Sequence, residues 1–327
     1  MLPAQWVSKS YMHRTRIAAN TVMDHHNFSL KPLIPWLKTE HPIDWQRQFG
    51  RKTILEVEIG FGYGEFLVQL AQTHPERNFV GLELRWTFVR KALQNIAQAK
   101  ASNVRLIQAD ARVVLDRLFL PKSLHRVYAL FPDPWPKKRH VKHRLFSHSF
   151  LKLLNSRLVS GGEARIITDY QPYLNWILEQ VPGTGFESYC KSIPPRFGTK
   201  YERKWHASGQ KEFNELQLLK QEHVEIPVKE DSPLMTYQVE HFDPDRFYPV
   251  NERGDTVAEF KEFLYDHKRQ KGMARVIVAD ENLTQHFWIE IGREGECWHI
   301  RPAKGCGVVP TMGVQRALDL VHDAAHQ

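Results

Sequence analysis

From Thr53 onward the chain alternates short apolar runs with stretches of helical periodicity, and this constrains the fold more than any other feature. Ile54–Ile59, Phe79–Leu84, Val104–Gln108, Val127–Phe131 and Glu163–Thr168 read as strands. Between and after them, Tyr63–Thr73, Thr87–Lys100, a short piece near Val113–Leu118, Phe146–Leu158 and a segment from Tyr173 read as helices. Strand runs without polar alternation are buried on both faces, so they belong to a parallel sheet covered by helices. Repeated β-α units of this kind predict an α/β, Rossmann-like, doubly wound sheet. Phe186–Cys190 and Leu216–Leu219 read as later strands, with Gly198–Gly209 as a loop between them.

The flanks differ in character. Residues 1–50 show no clear period, and Pro32, Pro35 and Pro42 separate short apolar pieces, as expected of an N-terminal arm packed on the core. Residues 51–221 carry 27 Lys+Arg against 15 Asp+Glu, whereas residues 222–327 carry 12 against 19. The basic surface therefore belongs to the middle segment, and an anionic partner is expected there. After a proline-rich linker, Glu225–Asp245, the acidic tail reads as a small α+β domain. It has a helix at Val257–His267, strands at Arg275–Ala279, His286–Ile291 and Trp298–Ile300, and a closing helix at Met312–Ala325. The three cysteines, Cys190, Cys297 and Cys306, form no C-x-x-C pair, so neither a disulfide framework nor a cysteine metal site is expected. No apolar stretch is long enough to span a bilayer, and a cytoplasmic setting is expected.

The densest chemistry lies in Phe131-Pro-Asp-Pro-Trp-Pro-Lys-Lys-Arg-His140 and the residues after it. Pro132 and Pro134 end a strand and restrict the backbone, so Asp133 should be held at the strand's carboxyl edge, where open parallel sheets bind ligands. Trp135 either stacks on a base or packs against the sheet. Lys137, Lys138, Arg139, Lys142 and Arg144 suit phosphates.

The first strand runs into Glu58-Ile-Gly-Phe-Gly-Tyr-Gly64. Gly60, Gly62 and Gly64 let the backbone approach a ligand closely. Glu65 stands where a dinucleotide fingerprint would place its third glycine, and a carboxylate there opposes a pyrophosphate. A cofactor without phosphate fits better. S-adenosylmethionine is one, and its cationic groups favour carboxylates. Glu58, Glu83, Asp110 and Asp133 stand at or near the ends of four successive strands, with Glu83 suited to ribose hydroxyls and Asp110 to an adenine amino group.

Further on, Asp169 follows the fifth strand, and Thr199-Lys-Tyr-Glu202 lies in a segment of mixed charge. Thr199 and Glu202 are either contacts to a guanine edge or a capping threonine and a salt-bridged acid.

Glu58–Gly64, Phe131–Leu145, Thr168–Tyr170 and Thr199–Gly209 together resemble the bacterial tRNA (guanine-N7-)-methyltransferase family over roughly Pro32 to Lys220. The resemblance implies methylation of a guanosine in the tRNA variable loop. It also implies that Glu58, Glu83, Asp110 and Asp133 bind S-adenosylmethionine, with Asp133 at the reaction centre. Lys137, Asp169, Thr199, Lys200, Tyr201 and Glu202 would contact the substrate guanosine. Two departures stand out: Val141 and His143 interrupt the basic run, and residues 1–31 and 222–327 fall outside the likeness.

Guanine N7 already carries a lone pair, so direct displacement needs no general base and positioning dominates. Two rival readings remain at this level. One is a methyltransferase for a small-molecule or protein amine, since Asp-Pro-Trp mimics the Asp-Pro-Pro-aromatic loops of such enzymes, although the basic middle segment disfavours it. The other is a non-catalytic tRNA-binding protein. The acidic tail should pack on the core, mediate oligomerisation or bind another protein.

Overall fold

The computed structural model describes residues 28–327 apart from Gln210, Glu281, Asn282 and Gln327. The part of the expected N-terminal arm before Phe28 lies outside the described residues. The elements run α1 (Trp45–Phe49), β1 (Leu55–Ile59), α2 (Glu65–Thr73), β2 (Asn78–Glu83), α3 (Trp86–Ala99), β3 (Val104–Gln108), α4 (Ala111–Arg117) and β4 (Leu124–Leu130). They continue with α5 (His148–Arg157), β5 (Leu158–Thr168), α6 (Gln171–Gln180), β6 (Phe186–Ile193), α7 (Lys200–Ala207) and β7 (Phe213–Lys220).

These seven strands form one sheet in the order β3-β2-β1-β4-β5-β7-β6. All neighbouring pairs are parallel except those made by β7, which runs antiparallel to both β5 and β6. The helices carry matching apolar stripes. In α3, Val89, Ala92, Leu93 and Ile96 repeat at helical spacing and are buried, each large side chain contributing about 1.5–3 kcal/mol. Chain order reverses between β1 and β4, and that reversal opens the crevice used for ligands in such sheets.

Residues 32–43 cover the β3 edge. The Ile34 amide donates to the Leu106 carbonyl at 2.9 Å and the Leu106 amide to Pro32 at 2.8 Å, while Ile34 and Ile43 join the core.

The tail holds a second sheet. Its elements are β8 (Tyr237–Val239), β9 (Glu252–Arg253), β10 (Thr256–Asp266), β11 (Lys271–Asp280), β12 (Leu283–Glu294), β13 (Cys297–Pro302) and α8 (Met312–Ala325). The six strands follow the order β8-β13-β12-β11-β10-β9, and α8 buries Val314, Ala317, Leu318 and Val321. The helix expected at Val257–His267 is instead β10. Phe260 and Phe263 have helical spacing, but a register shift between Phe260 and Glu262 inserts one residue, so both rings fall on one strand face, opposite Val276 and Ala274.

The tail packs on the first domain. Arg157 is fully buried and donates to the carbonyls of Leu115, Asp116, Ile226 and Pro227 at 2.6–3.2 Å. Arg117 donates to the Glu230 carbonyl and the Asp231 carboxylate. The linker is thereby pinned along α4 and α5.

Candidate active site

The turn after β1 is made by glycines in the left-handed region. Gly62 has φ +55°, and its amide donates to Glu83 Oε2 at 3.2 Å. Gly64 has φ +71°, and a Cβ there would lie 2.8 Å from that of Ala92, so its absence lets α2 and α3 meet. A cleft of about 480 Å³ opens in front of this turn, within the usual range for small-molecule sites. Glu83, Asp110 and Asp133 line it, with Gly60, Gly62, Phe88, Trp135 and Tyr201. A small adjoining pocket is lined by Glu58, Glu65, Thr199, Lys200 and Tyr201.

The four acids differ in environment. Glu83 closes β2 and also accepts from the amides of Leu84 and Arg85 at 2.9 and 3.0 Å. Asp110 caps α4 through the Arg112 amide at 2.8 Å and keeps its other oxygen 3.4 Å from the Arg112 guanidinium. Glu58 is 2% exposed, and its Oε2 has no hydrogen-bond partner. Burial, reinforced by the charge of Glu83, raises its pKa well above 4.5. An orphaned buried acceptor that feels the charge of Glu83 suits a ligand that brings positive charge and hydrogen-bond donors, as S-adenosylmethionine does.

Asp133 is exposed in the cleft, three residues beyond β4. Phe131 at φ +54° and Trp135 at φ +44° flank it in the left-handed region, each costing about 1–3 kcal/mol. The strand ends at Leu130, one residue before the expected end, because Phe131 adopts this conformation and turns its ring onto Phe213. Trp135 lies outside the apolar clusters; its ring neighbours are His140 and His143, and it faces the cleft.

Lys137, Lys138, Arg139 and Lys142 are exposed around the helical turn Lys138–His143. Arg144 departs from expectation. It is 8% exposed, donates from Nε to the Pro134 carbonyl at 2.8 Å, and lies over the rings of Tyr173 and Trp176. Burial against two aromatic rings withdraws it from phosphates, and it braces the Asp133 loop instead. Asp169 and Lys137 lie outside the cleft lining.

The expected loop Gly198–Gly209 contains α7, started by Thr199, whose hydroxyl accepts from the Glu202 amide at 3.2 Å. The Thr-x-x-Glu spacing was a legible signal for this start. Glu202 is 3% exposed, and its carboxylate accepts from the amides of Arg196, Phe197 and Gly198. These bonds saturate the group, so it positions the segment where a base-edge contact was expected. Thr199, Lys200 and Tyr201 reach the glycine turn after β1, which sequence distance concealed. Glu65, Arg203 and Tyr63 join them there; sequence reading used Glu65 only to argue against a pyrophosphate and gave the other two no role.

Fold and site define a methyltransferase with a Rossmann-like sheet that uses S-adenosylmethionine. Residues 52–215 match the family described as "Putative methyltransferase". The tRNA (guanine-N(7)-)-methyltransferase of Chlorobium phaeobacteroides is 45% identical over 52% of this chain and 84% of its own. That of Thermus thermophilus is 36% identical over 76% of this chain and 82% of its own. That of Thermotoga maritima is 41% identical over 53% of this chain and 56% of its own. The chain belongs to the tRNA (guanine-N(7)-)-methyltransferase family. Residues 1–221 make up less than the share aligned with the Thermus relative, so that likeness extends into the C-terminal domain.

Proposed function

We propose that this protein methylates N7 of a guanosine in the variable loop of tRNA. The observation that carries the reading is one cleft at the β1/β4 reversal that holds Asp133, with the buried Glu58 in the pocket beside it and an exposed basic segment at its rim.

Glu58, Glu83 and Asp110 would hold S-adenosylmethionine, which supplies an electrophilic methyl group on a sulfonium. The chain's own residues then orient and exclude water. Guanine N7 presents its lone pair without deprotonation, so no side chain need act as a base. Well-aligned reactants gain about 7–11 kcal/mol from positioning, and the strained loop held by Arg144 supplies rigidity. Asp133 orients the guanine edge and stabilises the positive charge that grows on the base. Trp135 offers a stacking face worth about 1–3 kcal/mol, which offsets much of the unstacking cost. Lys138, Arg139 and Lys142 contact phosphates, and Thr199, Lys200 and Tyr201 close over the base from the other side.

The test incubates the protein with S-adenosylmethionine and unmodified tRNA, then applies borohydride reduction and aniline cleavage. A single cut in the variable loop is expected. Methyl transfer without that cut would move the acceptor to another atom or another nucleotide.

A further inference from the structure

Glu65 is the residue that separates this glycine-rich turn from a dinucleotide fingerprint, and its carboxylate bonds to α7. Its Oε2 accepts from the Lys200 amide at 2.6 Å and its Oε1 from the Arg203 guanidinium at 2.6 Å. One carboxylate thus serves the N-terminal turns of two helices, α2 and α7, 135 residues apart in sequence, and both favour negative charge there. A second contact runs alongside: Lys200 Nζ donates to the Tyr63 hydroxyl at 2.9 Å and sits 4.6 Å from that ring's centre. The ring of Tyr201 comes within 3.8 Å of where a Gly62 Cβ would stand.

On its inner side α7 is held by Glu202, through the amides of its own loop, and by Trp205, partly buried against the cluster that includes Phe66, Tyr128 and Phe197. Glu202 is its only buried residue, and Gly198 at φ +62° and Gly209 at φ +97° bracket the segment with no neighbouring atoms crowding either position. With the buried side held at Glu202 and Trp205, the setting of the exposed N-terminal turn is left to what holds Lys200 and Arg203.

We infer that Glu65, with Arg203, is a positioning latch that sets Thr199–Tyr201 over the cofactor turn and so fixes the acceptor base relative to the cofactor. This rests on the proposed activity and assigns residues to it. Neither side chain need touch the reacting atoms. Networks of this kind couple strongly, because each partner's effect depends on the other.

The experiment compares Glu65→Ala, Arg203→Ala and the double variant by steady-state kinetics with tRNA, by equilibrium binding of S-adenosylmethionine, and by limited trypsin digestion scored after Lys200 and Lys204, the sites that parent and variants share. Both side chains are partly exposed, at 27% and 59%, so the fold should persist. Expected is a loss in kcat of about tenfold in each single variant, with cofactor affinity within about threefold of the parent. The double variant should be no worse than the poorer single, and trypsin should cut α7 faster in all three. An unchanged kcat in Arg203→Ala, losses that multiply in the double variant, or a defect confined to cofactor affinity would each overturn the latch. Should the parent protein fail to methylate tRNA, the digestion still decides: cutting rates equal to the parent's discard the latch, and faster cutting keeps it with a different acceptor.

Discussion

Arg144 Nε donates to the carbonyl of Pro134 at 2.8 Å, from a guanidinium lying 5.0 Å from the Trp176 ring centre. The basic segment therefore contains two kinds of cation. One braces the loop that carries Asp133, and the others face solvent.

Arg144→Met should accordingly lower kcat by about tenfold, through loss of alignment, and leave the salt dependence of tRNA affinity unchanged. Single-turnover rates and a binding series in increasing salt check this together. A flattened salt slope would return Arg144 to the phosphate-binding set.

The exposed cations carry the opposite expectation. Changing Lys138, Arg139 and Lys142 to alanine should flatten the plot of log affinity against log salt by about 0.7–0.9 for each phosphate no longer neutralised. The bound-state rate of methyl transfer should change little.

Asp133→Asn keeps the shape of the loop and removes the charge. Turnover should fall by about 10²-fold or more, with tRNA affinity nearly constant in a binding assay without turnover. Equal turnover in the variant would remove Asp133 from the chemical step.

Glu58 links stability to pH. Its folded pKa is raised by burial, so the folded state binds a proton more tightly than the unfolded one. The stabilisation is complete below the unfolded value of 4.5 and is lost as pH rises through the raised folded value. Glu58→Gln should therefore gain stability over the cofactor-free parent as pH increases across that window, while cofactor affinity drops. Melting curves at several pH values and a titration with S-adenosylmethionine test both halves.

Arg157→Met strips donors from four carbonyls, that of Leu115 buried and those of Asp116, Ile226 and Pro227 partly so, two of them in the linker. Each orphaned acceptor costs about 1–3 kcal/mol. A loss of at least about 3 kcal/mol is expected in urea unfolding, together with faster proteolysis of the linker.

Much was written locally. The apolar runs that became β1 to β5, the stripe of α3 and the closing helix Met312–Ala325 depend on neighbours within a few residues, so periodicity alone exposes them. The cleft's composition was legible for the same reason, since strand ends and glycine turns can be found without knowing the strand order. What tertiary structure decided was the partner of each polar group. Glu202 was expected at a base and is saturated by the amides of its own loop; Arg144 was expected at phosphates and is buried on aromatic rings; Phe260 and Phe263 share a strand face because of one inserted residue. Charge type is a property of one residue, whereas what neutralises it is set by chain segments brought together from 135 residues away, as at Glu65 and Lys200. Local spacing thus determines which elements form and which chemistry they carry, and only packing determines which charges are left to meet a ligand.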